Sequence, residues 1–176
     1  MTTTAVVVNA GPLMVFAKLN LLHLLKQLYG RVTFADAVYR EVVIDGMRYG
    51  YADASTLFQF LQQEAWQPTT AAVIPPSIQA ASLDLGEQES IALATMQQAL
   101  LLIDEEAGRR VARSLGLNVR GSLGVLIDAY RHRLIDADQL RFNFAEIERR
   151  MDIWISPSLC RRLLQETLGD DANDDT

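Results

Sequence analysis

The chain has 176 residues, 49% of them hydrophobic and 22% charged, with a formal net charge of −6. That is enough for a domain with a sizeable core, and the composition excludes a disordered, collagen-like or membrane-spanning protein. The single cysteine, Cys160, excludes an intramolecular disulfide. The N-terminus lacks a basic region and a long apolar run, so a cytoplasmic protein with no membrane association is expected.

In chain order, the apolar run Ala5-Val6-Val7-Val8 reads as a buried strand with Asn9 at its C-terminal edge. Leu21, Leu24, Leu25 and Leu28 then recur at helical spacing, in a helix whose start lies near Pro12, where a missing N–H does no harm. A strand over 31–34 and a helix over 36–44 follow, the latter carrying Glu41. A helix over 53–63 comes next, then a proline-bearing connection from 66 to 76 that could hold an edge strand. The break at Leu85-Gly86 opens a helix over 87–98 with Glu87 and Glu89 in its first turn. Asp84-x-x-Glu87 has the spacing of a capping box. A second apolar run, Leu100-Leu101-Leu102-Ile103, is a strand that ends at Asp104. Then come a helix over 105–115 stopped by Gly116, a short strand at 118–119, and a helix entered at Gly121-Ser122. Helical patterns over 138–150 and 157–168 complete the series, and the acidic end, 169–176, reads as a disordered tail. Alternating strands and helices predict a parallel α/β sheet, whose carboxyl strand ends are where ligands bind.

The charge is unevenly distributed. Residues 1–108 carry a net −6, residues 109–162 a net +5 supplied by arginine alone, and residues 163–176 a net −5. Arginine forks suit phosphate, so a basic block that begins just after Asp104 is what a phosphodiester substrate would need; the alternative is a solvated helix face.

Val7-Val8-Asn9-Ala10-Gly11-Pro12-Leu13, Tyr39-Arg40-Glu41-Val42-Val43, Leu85-Gly86-Glu87-Gln88-Glu89-Ser90-Ile91-Ala92-Leu93-Ala94, Leu102-Ile103-Asp104-Glu105-Glu106-Ala107-Gly108-Arg109 and Gly121-Ser122-Leu123-Gly124-Val125-Leu126 stand in an order that resembles the PIN-domain superfamily, in a branch of largely unassigned function. The resemblance covers residues 5 to 135. It implies a three-layer α/β/α fold with a central parallel sheet and extra C-terminal helices: a nuclease domain over 1–135, a helical extension of it over 136–168 and the tail over 169–176. It further implies an Mg²⁺- or Mn²⁺-dependent endoribonuclease, in many relatives the toxin of a toxin–antitoxin pair. RNA, a small antitoxin protein and a second copy of the chain in a homodimer are the partners expected.

By the same resemblance Asn9, Glu41, Glu87 and Asp104 are the catalytic candidates. The metal candidates are Asn9, Glu41, Glu87, Glu89, Asp104 and Glu105, and Arg109 and Ser122 would meet substrate. Each has a plainer reading: Glu87, Glu89, Asp104 and Ser122 are all residue types that cap helix starts. Hard divalent cations take oxygen ligands, which suits this donor set. Asn9 stands where most of the superfamily has aspartate, so it either weakens a metal site or orients a neighbouring acid such as Asp104. A catalytically weakened nucleic-acid- or protein-binding module is therefore the alternative function.

Other chemistries fare worse. His23 and His132 have no companions at zinc-ligand spacing, Cys160 has no neighbouring histidine, and neither a GxGxxG nor a Walker A motif occurs.

Overall fold

The computed structural model describes residues 5–71 and 73–174, with side chains described as far as Gly169. The chain gathers into two compact units, Met1–Ser122 and Leu123–Thr176. The division falls at the start of a helix rather than at the 135/136 step drawn from sequence.

In the first unit the two apolar runs form β1 (Val6–Val8) and β2 (Leu100–Leu102), paired in parallel with Val7 opposite Leu101. A third strand, β3 (Val119–Arg120), pairs parallel to β2, giving the order β1-β2-β3. Val7, Val8, Leu101 and Leu102 are fully buried, as expected of strands covered on both faces. The strand expected over 31–34 reduces to an isolated parallel bridge between Val7 and Thr33. Thr33 still exchanges backbone hydrogen bonds with Val6 and Val8, each 2.8 Å, so it flanks β1 without extending into a ladder. In the expected edge-strand connection Thr69 bridges Ala35 in the same way, while Ala72 lies outside the described residues.

The single helix expected after β1 is two, α1 (Ala10–Lys18) and α2 (Leu22–Tyr29). Asn20 separates them at φ 57°, a left-handed conformation that asparagine tolerates better than most residues. Residues 36–44 also divide, into α3 (Asp36–Tyr39) and a π-helical turn (Arg40–Asp45), which runs on into α4 (Gly46–Arg48). Single π-turns are rare and recur at functional sites. This one carries Glu41, and buries Val42 and Val43.

The helix α5 (Ala52–Gln63) packs against α1, the π-turn and α4. The short α6 (Pro76–Gln79) leads to α7 (Leu85–Gln97), which lies against β1, β2, α3 and α8 (Glu106–Ser114). Ile91, Leu93 and Ala94 of α7 are fully buried.

The second unit holds most of α9 (Ser122–Arg131), α10 (Ala137–Arg149) and α11 (Pro157–Asp174). A capping box opens α10, with the Gln139 N–H donating to Asp136 at 2.8 Å and Asp136 N–H to Gln139 at 2.9 Å. Phe144, Ile147 and Cys160 are buried where α10 and α11 pack together. The tail read from sequence as disordered is helical in its backbone as far as Asp174, with 175–176 outside the described residues. One glycine costs a helix only about 1 kcal/mol, and no proline follows to stop it.

Gly46, the first residue of α4, approaches α5 closely: a Cβ there would stand 2.8 Å from the Ala54 Cβ. Gly46→Ala is expected to destabilise the protein by about 1–3 kcal/mol through overpacking, measured by chemical denaturation. The double variant Gly46→Ala/Ala54→Gly should recover most of that loss.

Candidate metal-dependent active site

β1 and β2 end side by side and in the same direction, so Asn9 and Asp104 leave the sheet at one edge. The backbone N–H of Asn9 donates to Leu102 O at 2.9 Å, which ties the two strand ends together. α1 begins immediately, and its first turn passes beneath the β2 exit. A Cβ on Gly11 would stand 2.8 Å from Glu105 Oε1 and 3.3 Å from Asp104 Oδ2, so the approach suits a residue without a side chain.

Asp104 is fixed by Ser122, whose N–H donates to Oδ1 at 2.7 Å and whose hydroxyl donates to Oδ2 at 2.6 Å. Ser122 is fully buried, so its hydroxyl orients this carboxylate rather than facing substrate. Burial pushes the Asp104 carboxyl up, opposed by the two Ser122 bonds; Glu105 adds to the rise and Arg109 opposes it. Arg109 folds back onto the same loop, donating to Ile103 O at 3.1 Å. The structure thus gives both proposed substrate contacts a role around Asp104.

Glu87 performs its plain and its special role together. With Asp84 it closes the capping box foreseen from sequence: Glu87 N–H donates to Asp84 Oδ1 at 2.8 Å and Asp84 N–H to Glu87 Oε2 at 3.0 Å. The Glu87 side chain is nonetheless buried, and it accepts a backbone hydrogen bond from Gly108 in α8. A Cβ on Gly108 would lie 2.8 Å from Glu87 Oε1. Desolvation raises the Glu87 carboxyl, with Asp84 and Glu105 adding repulsion and the backbone donors of Asp84 and Gly108 countering it.

Glu89, on the same helix, turns elsewhere. It accepts from Ala37 N–H at 2.9 Å and so satisfies one of the free donors at the start of α3. Of the two glutamates left open by the sequence, the one that joins the acidic group is Glu87.

Glu41 is strongly perturbed. As a residue it is exposed, but Oε2 lies against the α7 entry, where a Cβ on Gly86 would be 3.4 Å away. Desolvation first, then the charges of Asp84, Glu105, Glu87 and Asp45, push its carboxyl from the ordinary 4.5 up to about 7. Glu41, Asp45 and Asp84 line a cleft of about 260 Å³ together with Arg40 and Gly86.

Asn9 is buried, and both ends of its amide are engaged: Nδ2 donates to Glu105 Oε2 at 3.3 Å, and Oδ1 accepts from Ser90 at 3.1 Å. It therefore orients an acid, and that acid is Glu105 rather than Asp104. Asp84, Asp45 and Ser90 were not singled out as site residues from sequence. Asp84 had a signal, in its capping spacing, and Asp45 and Ser90 had none beyond lying close to Glu41 and Glu87 in the chain.

A family model for the PIN domain matches residues 5–168. The chain belongs to the PIN-domain family. Its fold is accordingly the α/β PIN fold, in three layers about a parallel sheet, and the fold is nuclease-like. No curated protein and no solved structure matches the chain.

PIN domains generally use divalent metal ions, and the donor chemistry here agrees: Glu41, Glu87, Asp104 and Glu105 offer oxygen only, the set that suits Mg²⁺ or Mn²⁺. The carboxyls of Glu41, Glu87 and Asp104 are all raised, first by desolvation and then by the charges of neighbouring acids. Among the described residues, however, no three of these groups stand close enough to form a finished metal-binding cluster. Glu41 and Glu105 are the exposed members of the set, beside the two fixed carboxylates.

Two expectations follow. The folded protein holds a proton on Glu41 more tightly than the unfolded chain does, so the group's contribution to stability is greatest below pH 4.5 and is lost as the pH rises to about 7. Solvent screening at an exposed residue makes the loss smaller than the full linkage value. Glu41→Gln should flatten this part of the pH dependence, and carboxyl NMR of the metal-free protein should place the Glu41 midpoint near 7. In addition, Asn9→Asp replaces a donor to Glu105 by a like charge. Thermal melts without divalent ions should show a loss of about 1–3 kcal/mol, reduced when Mn²⁺ is added.

Proposed function

We propose that this PIN domain is a metal-dependent endoribonuclease whose reaction centre is formed by Glu41, Glu87, Asp104 and Glu105. The observation that carries the reading is the electrostatic one: Asp84, Glu105, Glu87 and Asp45, drawn from three separate parts of the chain, all act on Glu41. Acids so placed destabilise a protein that does nothing with them, and perturbed carboxyls in a cleft mark functional sites.

A bound Mg²⁺ or Mn²⁺ would supply charge to offset the phosphate and lower the pKa of a water that attacks phosphorus. The chain's own residues do the rest. Asp104 and Glu87 are the fixed members, held by Ser122 and by the Asp84 and Gly108 backbones. Glu105 is oriented by Asn9. Glu41, its carboxyl pushed up to about 7, is suited to taking or returning a proton at the cleft near neutral pH. Arg109 restrains the Asp104 loop and tempers its charge.

The binding-module alternative draws on Asn9, which brings no charge of its own to the cluster. Its amide also positions Glu105 rather than standing apart from the acids, and that favours a working centre. We place the protein in the cytoplasm, as the toxin of a toxin–antitoxin pair acting as a homodimer; among the described residues no helix is long and apolar enough to cross a membrane.

The purified protein is expected to cleave single-stranded RNA with Mn²⁺ or Mg²⁺ and to stop in EDTA. Asp104→Asn and Glu41→Gln should each lower the rate about 100-fold or more, a loss of roughly 2.7 kcal/mol in barrier stabilisation. Mn²⁺ titration calorimetry on the same variants should show weaker binding. Cleavage that survives EDTA, or Asp104→Asn cleaving at the wild-type rate, rejects the metal mechanism.

A further inference from the structure

The largest concentration of exposed apolar surface in the first unit lies next to the acidic cleft. Ile44 is 46% exposed, Met47 38%, Tyr49 71% and Tyr51 57%, all in the segment that continues from the π-turn. The two tyrosine rings stand 6.0 Å apart at 38° to one another. Neither is tucked against the core, so each offers a ring face to solvent.

The backbone that carries the rings is held in place. The Tyr49 N–H donates to Asp45 O and the Tyr51 N–H to Gly46 O, both at 2.9 Å. Asp45 itself lines the cleft with Glu41, so the pair sits one turn beyond it. Gly50, between the tyrosines, adopts φ 77°, a conformation that suits glycine and turns the chain sharply. Behind them, the close contact of Gly46 with Ala54 presses the turn onto α5. Ordering two rigid aromatic rings at the surface yields nothing to the core.

Two exposed arginines accompany the rings among the acids of the segment. Arg40 borders the cleft and is exposed, and Arg48 lies between the turn and the rings with only a 3.9 Å contact to Asp45. An exposed pair of that length contributes little and leaves the guanidinium available. Aromatic faces interleaved with arginine are the means by which proteins hold single-stranded nucleic acid: bases stack, and the forks take phosphates.

We propose that Tyr49 and Tyr51 form a stacking platform for unpaired bases of single-stranded RNA, with Arg40 and Arg48 on its phosphates, so that the strand is led from the rings into the cleft. The substrate is then selected for being unpaired, since the ring faces cannot reach bases inside a duplex. This assignment rests on the nuclease reading of the cleft. A protein-binding patch would use the same tyrosines and arginines, and only its indifference to the ring faces of unpaired bases tells it apart.

The test measures binding apart from cleavage. Fluorescence anisotropy with a short labelled oligoadenylate, in EDTA and again with Ca²⁺, is compared with its duplex and with a ribose-phosphate strand lacking bases. Tyr49→Ala and Tyr51→Ala should each weaken oligoadenylate binding about tenfold, Tyr→Phe at either position should stay within about twofold, and Tyr→Leu should fall with alanine, because the interaction is with a π-face. Binding to the base-free strand should be the same in all variants, and duplex should bind weakly. Leucine retaining affinity, alanine variants binding like the wild type, an equal loss on the base-free strand, or no binding by the wild type would each overturn the proposal. So would a tyrosine-dependent dimer in sedimentation velocity with RNA affinity unchanged. Cleavage with Mn²⁺ by the wild type separates the two readings: tyrosine-dependent binding without cleavage sinks the nuclease and keeps the platform, and metal-dependent cleavage with indifferent tyrosines does the reverse.

Discussion

The structure depends on holding several carboxylates together with neutral donors. Asp104 receives an N–H and a hydroxyl from Ser122, Glu87 receives backbone N–H groups from Asp84 and Gly108, and Glu105 receives the Asn9 amide. None of these donors carries a charge. They fix the acids in place without cancelling their charge, so burial first and mutual repulsion second keep the carboxyls of Glu41, Glu87 and Asp104 raised. A salt bridge at each position would have stabilised the fold and emptied the site of its electrostatic demand for a cation.

The sheet makes this assembly feasible. Parallel strands end at the same edge, so β1 and β2 deliver Asn9 and Asp104 to one place although nearly a hundred residues separate them in the chain. The helices that follow start there too, and helix starts have spare N–H groups that suit carboxylates. α7 brings Glu87 in this manner, with Asp84 as its cap. Glycine admits the crowding at close approaches such as Gly11 beneath Asp104 and Glu105 and Gly108 against Glu87.

Glu41 arrives by a different route. It is on a π-turn rather than on a strand end or a helix start, and that turn leads directly to the exposed tyrosines. One short segment, 40–51, therefore joins a strongly perturbed acid of the cleft to the only tilted aromatic pair among the described residues. Chemistry and strand guidance would then share a backbone, and the packing of Gly46 on α5 would steady both.

Much of this was legible in the sequence because it is set by local chemistry. The valine and leucine runs could only be buried strands, the Asp84–Glu87 spacing specified a capping box, and the order of short motifs pointed to the PIN fold. Local patterning could not decide where each side chain would be spent. Glu87 and Glu89 are two residues apart on one helix, yet one faces the acids of the cleft and the other satisfies the start of α3, because helical geometry sends them in different directions and toward different backbone N–H groups. Ser122 and Arg109 read as phosphate contacts, but their nearest unmet need is Asp104 and its loop. The strand at 31–34 had the composition for a ladder and found only one bridge partner. Sequence by itself determined the apolar strands, the helix caps and the supply of acids at element ends. The tertiary structure alone decided which acids meet, because pKa shifts and hydrogen-bond partners depend on distances between segments that the chain order does not contain.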